Sequence, residues 1–531
     1  MVDILTSRQK KARRDLPRSV VSVGRLLLGF ALLATVAAPA GPAFSETSSW
    51  EAVGPGIEFR HFTLPGPRQA FVARMDRSNL QVTLESAIGG GSLAVDKETV
   101  SQMAARYEQT LNSWGGTWGP RTHPIVAING SFYDVPTGVP EGAMVASGWF
   151  TNWHYKHVTA IGFVWTLERQ ALMSQCIAYE PDRQQLTFLA SGETYPISGV
   201  DVEPGRNELV VYTPAYATTT PESEAVAEVL VELSRPMTVM PNPAMVKGVI
   251  RDVRDSQGGT PIPFDHVVLS GVRHFRSVLL NQARVGEEIG ISLEITDLGE
   301  GCKSRVTPDW TKAYAGLGGS YDFLRDGQVR EFSDPGATLR HPRTALCYND
   351  QYIHFVVVDG RQAGWSIGMT MDDMAGFCQG ELGATWGMNL DGGGSSTMWV
   401  NGEIMNRPSD GQERAVANGL MMVVVEPKEQ SSRFSPGQHV IAQREAELRL
   451  GPGRGYSVIG AVTPGAELEL LPQLCQLEGI LATGSFWWKV RAGEQQGWIM
   501  QEALTSDSGD LALKVQPSPQ GGDTAPPATV P

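Results

Sequence analysis

Residues 389–398 read NLDGGGSSTM and join two apolar runs, one before and one after a short polar stretch. The pattern predicts a strand that ends near Asp391, a tight glycine turn and a second strand. Glycine permits positive φ angles and a close approach of the backbone to a ligand. Consecutive N–H groups in such a turn can form a nest that binds an anion. A fixed carboxylate beside an anion nest favours chemistry on a charged, hydroxyl-rich substrate.

The simplest alternative is a solvated, glycine-rich hairpin in which Asp391 is only a turn residue. The turn is not a nucleotide phosphate loop, because no lysine follows the glycines and the pattern GxGxxG is absent. The neighbouring motifs therefore have to decide whether residues 389–398 form a site.

Composition limits the class of protein. The chain has 531 residues, which allows about three domains. A hydrophobic content of 41% and a charged content of 19% are typical of a globular chain with a sizeable core. A net charge of −14 argues against a nucleic-acid partner, because no basic stripe is available to neutralise phosphates.

The amino terminus has the layout of a signal peptide. Six cationic residues before position 19 precede an apolar stretch at residues 26–36, and small residues with prolines follow. We therefore predict a signal peptide over residues 1–45 and export to the periplasm or the extracellular space. The apolar stretch is short for a membrane span, so we expect no span after signal removal, with an uncleaved N-terminal anchor as the alternative.

The cysteines indicate neither a zinc site nor a full disulfide framework. An odd number leaves at least one unpaired, and no CxxC or Cys/His cluster occurs. We expect mostly buried free thiols with room for one disulfide, and neither a metal nor a cofactor. A metal site on His154 and His157 is the weaker alternative, because that segment is predicted to be a loop or strand. The five cysteines are Cys176, Cys302, Cys347, Cys378 and Cys475.

Residues 50–427 alternate short β-rich runs with Gly/Pro turns, which predicts an α+β domain dominated by mixed β-sheet with few helices. The clearest helical patterns cover residues 97–111 and 371–382. We predict a linker at 428–438, a small all-β unit at 439–505 and a disordered Pro/Gly/Ser/Thr-rich tail at 506–531. The clearest strand patterns are 81–84, 125–128, 209–212, 227–233 and 353–358.

Four more segments of the large domain hold polar residues where a predicted strand ends. Strand ends can converge on one rim while the strands hold them rigidly. Asn and Asp bind hydroxyls, and Arg binds phosphate oxygens in a bidentate manner, so such a rim suits a sugar that carries phosphate. The segments are AINGSFYD at 127–134, HPRTAL at 341–346, VVVDGRQ at 356–362 and NRPSDGQERAVAN at 406–418.

Taken in this order, the five motifs resemble the phosphodiester glycosidase family. The resemblance covers about residues 55–425 and includes ETVSQMA at 98–104 and VYTPAY at 211–216. It implies hydrolysis of a sugar-1-phosphodiester, which releases the sugar and leaves a phosphomonoester. Two positions depart from the family pattern. Ser131 stands where a second glycine is usual, and Cys347 stands where a small residue is usual.

The resemblance and the chemistry together predict roles for the rim residues. Asp391 is the expected nucleophile or base, and Asp359, Asp410 or Glu413 is the expected second carboxylate. Arginines that hold the phosphate would stabilise the charge that develops on it. Asn129 would orient a sugar substituent, and the glycine turn would bind phosphate or sugar hydroxyls. The predicted binding residues are Asn129, Gly130, His341, Arg343, Arg361, Gly392, Gly393, Gly394, Ser395, Ser396 and Arg414.

The small C-terminal unit resembles a bacterial SH3-type domain, on the segments LRLGPG at 448–453, WWKVR at 487–491 and GWI at 497–499. The resemblance implies a cell-wall or peptide ligand. The alternative is an accessory barrel that only packs on the main domain, because a fold does not define a function.

Two rival functions remain open on the sequence. GWSIG at 364–368 fits GxSxG and would make Ser366 the nucleophile of a serine hydrolase. The preceding apolar strand stops at Val358, however, and does not run directly into the motif. The other rival is a non-catalytic, exported glycan-binding protein of exopolysaccharide or cell-wall assembly.

Overall fold

The structure is a computed structural model, and it describes residues 49–93, 97–107, 111–114, 117–141, 144–154, 162–174, 177–178, 183–236, 245–293, 296–297, 313–425, 430–482 and 484–506. Strands dominate this part of the chain, as the sequence predicts for a β-rich fold. Its four α-helices are α1 (Val100–Tyr107), α2 (His274–Gln282), α3 (Pro335–Thr338) and α4 (Met371–Gly380). No helix in the described ranges is long and apolar enough to cross a membrane.

Two antiparallel sheets pack face to face and carry the candidate site between their ends. Their inner faces share one core, to which Phe355 and Val357 contribute from one sheet and Leu84, Val126 and Met422 from the other. The first sheet has the strand order Glu51–Gly54, Ile57–Leu64, Arg68–Asp76, Tyr352–Val358, Arg343–Tyr348, Trp386–Asn389, Leu324–Arg325, Gln328–Val329. The second has the order Glu403–Ile404, Met398–Val400, Thr117–Asn129, Asn418–Val425, Val82–Ile88, and Leu111–Trp114 pairs with Thr117–Asn129.

Helix α4 covers the outer face of the first sheet. It begins at a capping box, in which the Thr370 side chain accepts from the Asp373 N–H and the Asp373 side chain accepts from the Thr370 N–H. It buries Met371, Met374 and Cys378 against the sheet. The predicted helix at 371–382 is thus confirmed, whereas the one predicted at 97–111 is shorter and forms only α1.

One disulfide fixes α4 to this sheet, between Cys347 and Cys378. This agrees with the single disulfide for which the sequence left room. Cys475 is buried and has a free thiol. Cys176 and Cys302 lie outside the described residues.

A middle region contributes three further sheets, with α2 packed on the largest of them. The nine-stranded sheet has the order Thr194–Pro196, Gln184–Phe188, Glu288–Leu293, Val246–Asp255, Val226–Leu233, His266–Val272, Leu209–Tyr212, Gly199–Val200, Trp153–His154. The five-stranded sheet has the order Ala171–Ser174, Gly162–Thr166, Ala313–Gly318, Val145–Ala146, Trp149–Phe150, and Ile177–Ala178 pairs with Thr296–Asp297.

The C-terminal unit is an antiparallel sheet with its own core, which includes Leu448, Leu468, Trp488 and Ile499. Its likeness to an SH3-type domain and the predicted domain boundaries stay predictions. The predicted signal peptide at 1–45 and nearly all of the tail at 506–531 lie outside the described residues. The strands are His439–Ala442, Ala446–Arg449, Val458–Val462, Glu467–Leu470, Ile480–Ala482, Ser485–Ala492, Gln495–Met500 and Leu504–Ser506.

Candidate active site

The NLDGGGSSTM segment crosses from one sheet to the other. Its first strand, Trp386–Asn389, pairs with Arg343–Tyr348 in the first sheet, and its second, Met398–Val400, pairs with Thr117–Asn129 in the second sheet. The two strands do not pair with each other, so the hairpin alternative is wrong. The glycine turn instead sits where the ends of both sheets meet.

The backbone of Asp391 is held by the end of strand Thr117–Asn129. The Asp391 N–H donates to the Gly130 carbonyl over 2.9 Å, and the Asn129 Nδ2 donates to the Asp391 carbonyl over 2.7 Å. The Asn129 Oδ1 accepts from the Thr344 hydroxyl at 2.7 Å and from the Thr397 N–H at 3.1 Å. Asn129 is fully buried. The structure therefore gives Asn129 the work of positioning Asp391, whereas the sequence predicted that it would orient a sugar.

Gly130 is required at its position by a close neighbour. A Cβ built on it would overlap the Oδ1 atom of Asn418. That amide also accepts from the Ser131 N–H at 2.9 Å, and its Nδ2 donates to the Ser131 hydroxyl at 2.9 Å. The departure at Ser131 thus has a local use, because this hydroxyl is the partner of Asn418.

The Asp391 carboxylate is partly buried, and this burial raises its pKa. The Ser395 hydroxyl, the Gly392 N–H and the Arg414 charge oppose the rise, while the Glu141 charge adds to it. A carboxylate with a raised pKa is a better proton acceptor at neutral pH, which suits a general base.

The three glycines allow groups from two other segments to lie against the turn. Gly393 has a φ of 63° and donates its N–H to the Pro342 carbonyl over 3.0 Å. A Cβ on Gly393 would lie 3.2 Å from the Arg361 Nη1. A Cβ on Gly392 would lie 2.7 Å from the Pro342 carbonyl oxygen. The absence of side chains here is therefore a packing requirement.

Gly394 lies against an ion pair. The Arg414 guanidinium donates from Nε and Nη2 to the Asp410 Oδ2 over 2.9 Å and 2.6 Å. A Cβ on Gly394 would overlap both members of this pair. The structure thus brings Asp410 and Arg414 to the turn together, as partners of each other.

Cationic groups surround the turn on the side of the first sheet. Arg361 is exposed, and its Nη2 lies 3.3 Å from the His341 Nδ1. Burial lowers the pKa of His341, and the charges of Arg343 and Arg361 lower it further. Together with Arg414, these side chains place positive charge around a partly buried carboxylate, which is an arrangement that attracts an anion.

Arg343 is buried and mainly holds the backbone. Its Nε donates to the Met369 carbonyl over 2.9 Å, and its Nη2 donates to the Gly336 and Leu339 carbonyls over 2.7 Å and 2.9 Å. Burial lowers its pKa to about 10, so it stays protonated at neutral pH. Within the described residues its Nη1 is the one guanidinium nitrogen that makes no hydrogen bond, and it remains available to a ligand.

Two of the predicted second carboxylates lie in other contacts. Asp359 is buried and accepts from the Trp365 Nε1 at 2.7 Å, the Asn406 Nδ2 at 3.0 Å and the Arg407 N–H at 3.0 Å. It therefore anchors the start of the 406–414 loop, and burial raises its pKa. Glu413 accepts from the Ser101 hydroxyl at 2.5 Å and N–H at 3.0 Å, at the first turn of α1.

The structure brings forward a carboxylate that the sequence analysis missed. Glu141 is exposed and close enough to Asp391 for its charge to raise the Asp391 pKa. Its N–H donates to the Phe132 carbonyl over 2.7 Å, so the loop after Asn129 folds back toward the site. The only signal in the sequence is an acidic residue close behind the AINGSFYD motif.

The hydroxyls that follow the glycines are buried. Ser395, Ser396 and Thr397 are each at most 1% exposed. In the described part of the chain their side-chain oxygens make no well-aligned hydrogen bond. The sequence predicted that Ser395 and Ser396 contact a ligand, and the structure places both hydroxyls beneath the turn.

The serine of the GxSxG motif is also buried. The Ser366 hydroxyl donates to the Asp359 carbonyl over 2.5 Å and accepts from the Gln69 N–H over 3.1 Å. A nucleophile must reach its substrate, and Ser366 is fully buried. This placement gives it a structural task. The His154 side chain and His157, the other rival site, lie outside the described residues.

Comparison with known families assigns this part of the chain. Residues 245–423 match the family model named Phosphodiester glycosidase. This segment is a phosphodiester glycosidase domain. It contains Arg343, Asp359, Asp391 and Arg414, whereas Asn129 and Glu141 reach the same turn from outside the matched segment.

Similar proteins match the chain over part of their length. The SPbeta prophage-derived uncharacterized protein YomE of Bacillus subtilis (strain 168) is 38% identical over 97 residues, which are 18% of this chain and 14% of that relative. Beyond the phosphodiester glycosidase domain, three solved structures are similar. One is a hypothetical protein from Synechocystis, with a TM-score of 0.46, 17% identity and coverage of 70% of this chain and 62% of the other.

The second solved structure is a protein of Burkholderia pseudomallei K96243, with a TM-score of 0.47, 20% identity and coverage of 67% and 74%. The third is the catalytic domain of zebrafish N-acetylglucosamine-1-phosphodiester alpha-N-acetylglucosaminidase, auto-inhibited by its pro-peptide. Its TM-score is 0.34, with 14% identity and coverage of 72% and 86%.

Proposed function

We propose that this protein is an exported glycosidase that hydrolyses the sugar–phosphate bond of a sugar-1-phosphodiester, such as N-acetylglucosamine linked through phosphate. Its substrate would be an envelope or extracellular glycan. The observation that carries the proposal is the partly buried Asp391 carboxylate beside a glycine turn against which Arg361 and Arg414 pack. The phosphodiester glycosidase domain at residues 245–423 supports the same reaction class.

The reaction breaks the bond between the anomeric carbon and the phosphate oxygen. A water oxygen forms the new bond to that carbon, and the electron pair of the broken bond goes to the leaving phosphate. If Asp391 acts as base, it takes the proton of the attacking water. If it acts as nucleophile, it first bonds to the anomeric carbon, and water then releases the sugar.

Cations can replace much of the acid that a glycosidase usually needs. A phosphate leaving group is weakly basic, so stabilising its negative charge matters more than protonating it. Arg361, Arg414 and the Nη1 of Arg343 are the donors for this task. Glu141 is the second carboxylate that the geometry favours, because it acts electrostatically on Asp391.

Export of the protein is proposed from the sequence alone. The cationic start, the short apolar stretch and the following small residues have the layout of a signal peptide at residues 1–45. A substrate in the cell envelope would be within reach of such a protein.

The test is release of free sugar from UDP-N-acetylglucosamine and from the methyl phosphodiester of N-acetylglucosamine-1-phosphate. We expect the purified protein to liberate N-acetylglucosamine, and Asp391→Asn to abolish this. Asp372→Asn, an exposed change on α4, is the matched control. A protein that binds glycans but releases no sugar from either compound would instead be the non-catalytic glycan-binding protein.

A further inference from the structure

A cavity of about 260 Å³ lies where the main domain meets the C-terminal unit. Its walls come from the end of strand Val82–Ile88, from residues 146–151, from residues 213–218 and from residues 450–457 of the C-terminal unit. Two parts of the chain that are far apart in sequence therefore build one cavity.

The cavity is neutral and combines aromatic and hydroxyl groups. Aromatic side chains on its walls are Tyr107, Trp149, Phe150 and Tyr456, and hydroxyls come from serines and threonines on every wall. Arg106 is the only strongly basic or acidic residue among the described lining residues, and its charge is paired with Glu98 over 3.0 Å. A ligand of this cavity is therefore uncharged, with both apolar faces and hydroxyls.

The C-terminal wall is firmly attached. Lys489 of the C-terminal unit is buried and forms ion pairs with Asp265 at 2.6 Å and Glu232 at 3.4 Å, both on the nine-stranded sheet side. The Phe264 N–H also donates to the Leu450 carbonyl over 3.0 Å. These contacts make the C-terminal unit part of the cavity, and not a module that swings on a linker.

The loop that forms this wall has a defined shape. The Arg449 Nη1 donates to the Arg454 carbonyl over 2.9 Å and to the Tyr456 carbonyl over 2.5 Å. The Tyr456 ring packs against Phe264 with ring centres 5.7 Å apart. A preformed wall lowers the entropic cost of binding a ligand.

The cavity lies at the same end of the second sheet as Asp391. Ile88 on its wall is paired with Asn418 of the neighbouring strand. The Asn418 carbonyl accepts from the Gly130 N–H over 2.9 Å, and the Gly130 carbonyl accepts from the Asp391 N–H over 2.9 Å. The two sites are thus joined through the ends of adjacent strands.

We propose that this cavity binds a neutral sugar unit of the glycan whose sugar–phosphate bond is cleaved at Asp391. Aromatic side chains pack on the apolar faces of sugar rings while hydroxyls bond at their edges. The link between cavity and cleavage rests on the proposed function, and the binding of a neutral sugar does not. The substrate is then an extended glycan, and the C-terminal unit completes its binding site.

Gly455 allows a test that fills the cavity without straining the fold. A Cβ built on Gly455 has no atom within 4 Å. Gly455→Phe therefore adds a ring at the cavity wall. Gly376→Phe is the matched control, because Gly376 also has no atom within 4 Å and lies on the exposed face of α4. Thermal unfolding of each variant verifies that the fold is kept.

The probe is N,N′-diacetylchitobiose, with binding measured by calorimetry or by protein NMR. We expect the unaltered protein and Gly376→Phe to bind it, and Gly455→Phe to bind at least tenfold more weakly. Equal binding by all three proteins, or none by the unaltered protein, would overturn the proposal. So would binding of decanoic acid in place of the sugar. Sugar release from UDP-N-acetylglucosamine is scored separately, so a failed glycosidase proposal leaves the binding result interpretable.

Discussion

The side-chain amide of Asn129 donates a hydrogen bond to the backbone carbonyl of Asp391 over 2.7 Å. Asn129 ends a strand of the second sheet, and Asp391 directly follows a strand of the first. One buried amide therefore connects the two sheets at the point where the glycine turn begins. The position of the candidate catalytic carboxylate depends on this contact.

Asn129→Ala is expected to weaken both the fold and the activity. The change leaves the Thr344 hydroxyl and the Thr397 N–H without their partner in a buried place, at a cost of about 1–3 kcal/mol in the free energy of unfolding. Chemical denaturation measures that loss, and sugar release measures the effect on kcat. Thr344→Val, which removes one of these bonds, should show a smaller loss of both. An unchanged kcat in Asn129→Ala would contradict the positioning role.

Activity should fall at acidic pH through a limb set by Asp391. The carboxylate must be ionised to act, and burial holds its pKa above the ordinary value of about 3.9. The acidic limb of kcat/KM therefore lies above pH 3.9. Glu141→Gln removes a charge that raises this pKa, so the limb should move to lower pH. A limb that stays in place or moves upward in Glu141→Gln would show that Glu141 does not act on Asp391.

Arg361→Ala is expected to weaken substrate binding with little effect on stability. Arg361 is exposed and lies against Gly393, where a phosphate oxygen would approach the turn. Loss of a charged hydrogen bond of about 1.5–3 kcal/mol corresponds to a rise of roughly 10–150-fold in KM. Steady-state kinetics measure the rise, and Arg491→Ala, an exposed arginine of the C-terminal unit, is the control. Equal KM values in both variants would exclude Arg361 from the anion site.

Ser366→Ala should retain activity and lose stability. Its hydroxyl satisfies the buried Gln69 N–H and Asp359 carbonyl, so its removal costs about 1–3 kcal/mol in the free energy of unfolding. Denaturation and sugar release are measured on the same preparation, with Asp391→Asn as the inactive reference. Loss of all activity in a folded Ser366→Ala protein, with activity kept in Asp391→Asn, would instead establish a serine hydrolase.

Lys489→Met should destabilise the protein strongly. It leaves Asp265 buried without its cation, and breaking a buried ion pair costs about 3–5 kcal/mol. Arg491→Ala, which breaks an exposed pair with Glu469, should cost about 0–1 kcal/mol. Denaturant unfolding of both variants measures the difference. Equal losses would mean that the Lys489 contacts do not hold the C-terminal unit in place.

The same ion pair has a consequence for pH. Although burial would raise the pKa of Asp265, the charges of Lys489 and His266 hold it well below its ordinary value. The stability that this depressed pKa contributes is present above about pH 3.9 and is lost as the pH falls below it. Unfolding measured between pH 3 and pH 6 should show this loss in the unaltered protein and a smaller one in Lys489→Met.

Local sequence patterns were sufficient for many elements. The runs 209–212 and 353–358 are strands because their β-branched and aliphatic residues are buried on the pleated surface of a sheet. Helix α4 begins where Thr370 and Asp373 form a capping box. The predicted helix at 97–111 failed beyond Tyr107, since an apolar periodicity alone does not define where a helix ends.

The site was only partly predictable for a related reason. Asp391 and its glycines were visible as a motif, because three glycines beside a carboxylate are unusual in any strand. The partners of that motif were not. Asp359 looked like Asp391 in its sequence context, yet the structure surrounds it with the Trp365 and Asn406 side chains and the Arg407 backbone. Hydrogen bonds between distant segments made that distinction.

The sequence by itself determined a β-rich chain, a disulfide count of at most two and a carboxylate–glycine motif with arginine-bearing segments around it. Tertiary structure alone decided that the motif crosses between two sheets, that Asn129 holds Asp391, and that Glu141 is the carboxylate acting on it. Periodicity reports which face of a strand is buried, because that depends on near neighbours in the chain. Which strand ends meet depends on sheet pairing over hundreds of residues, and no local pattern encodes that.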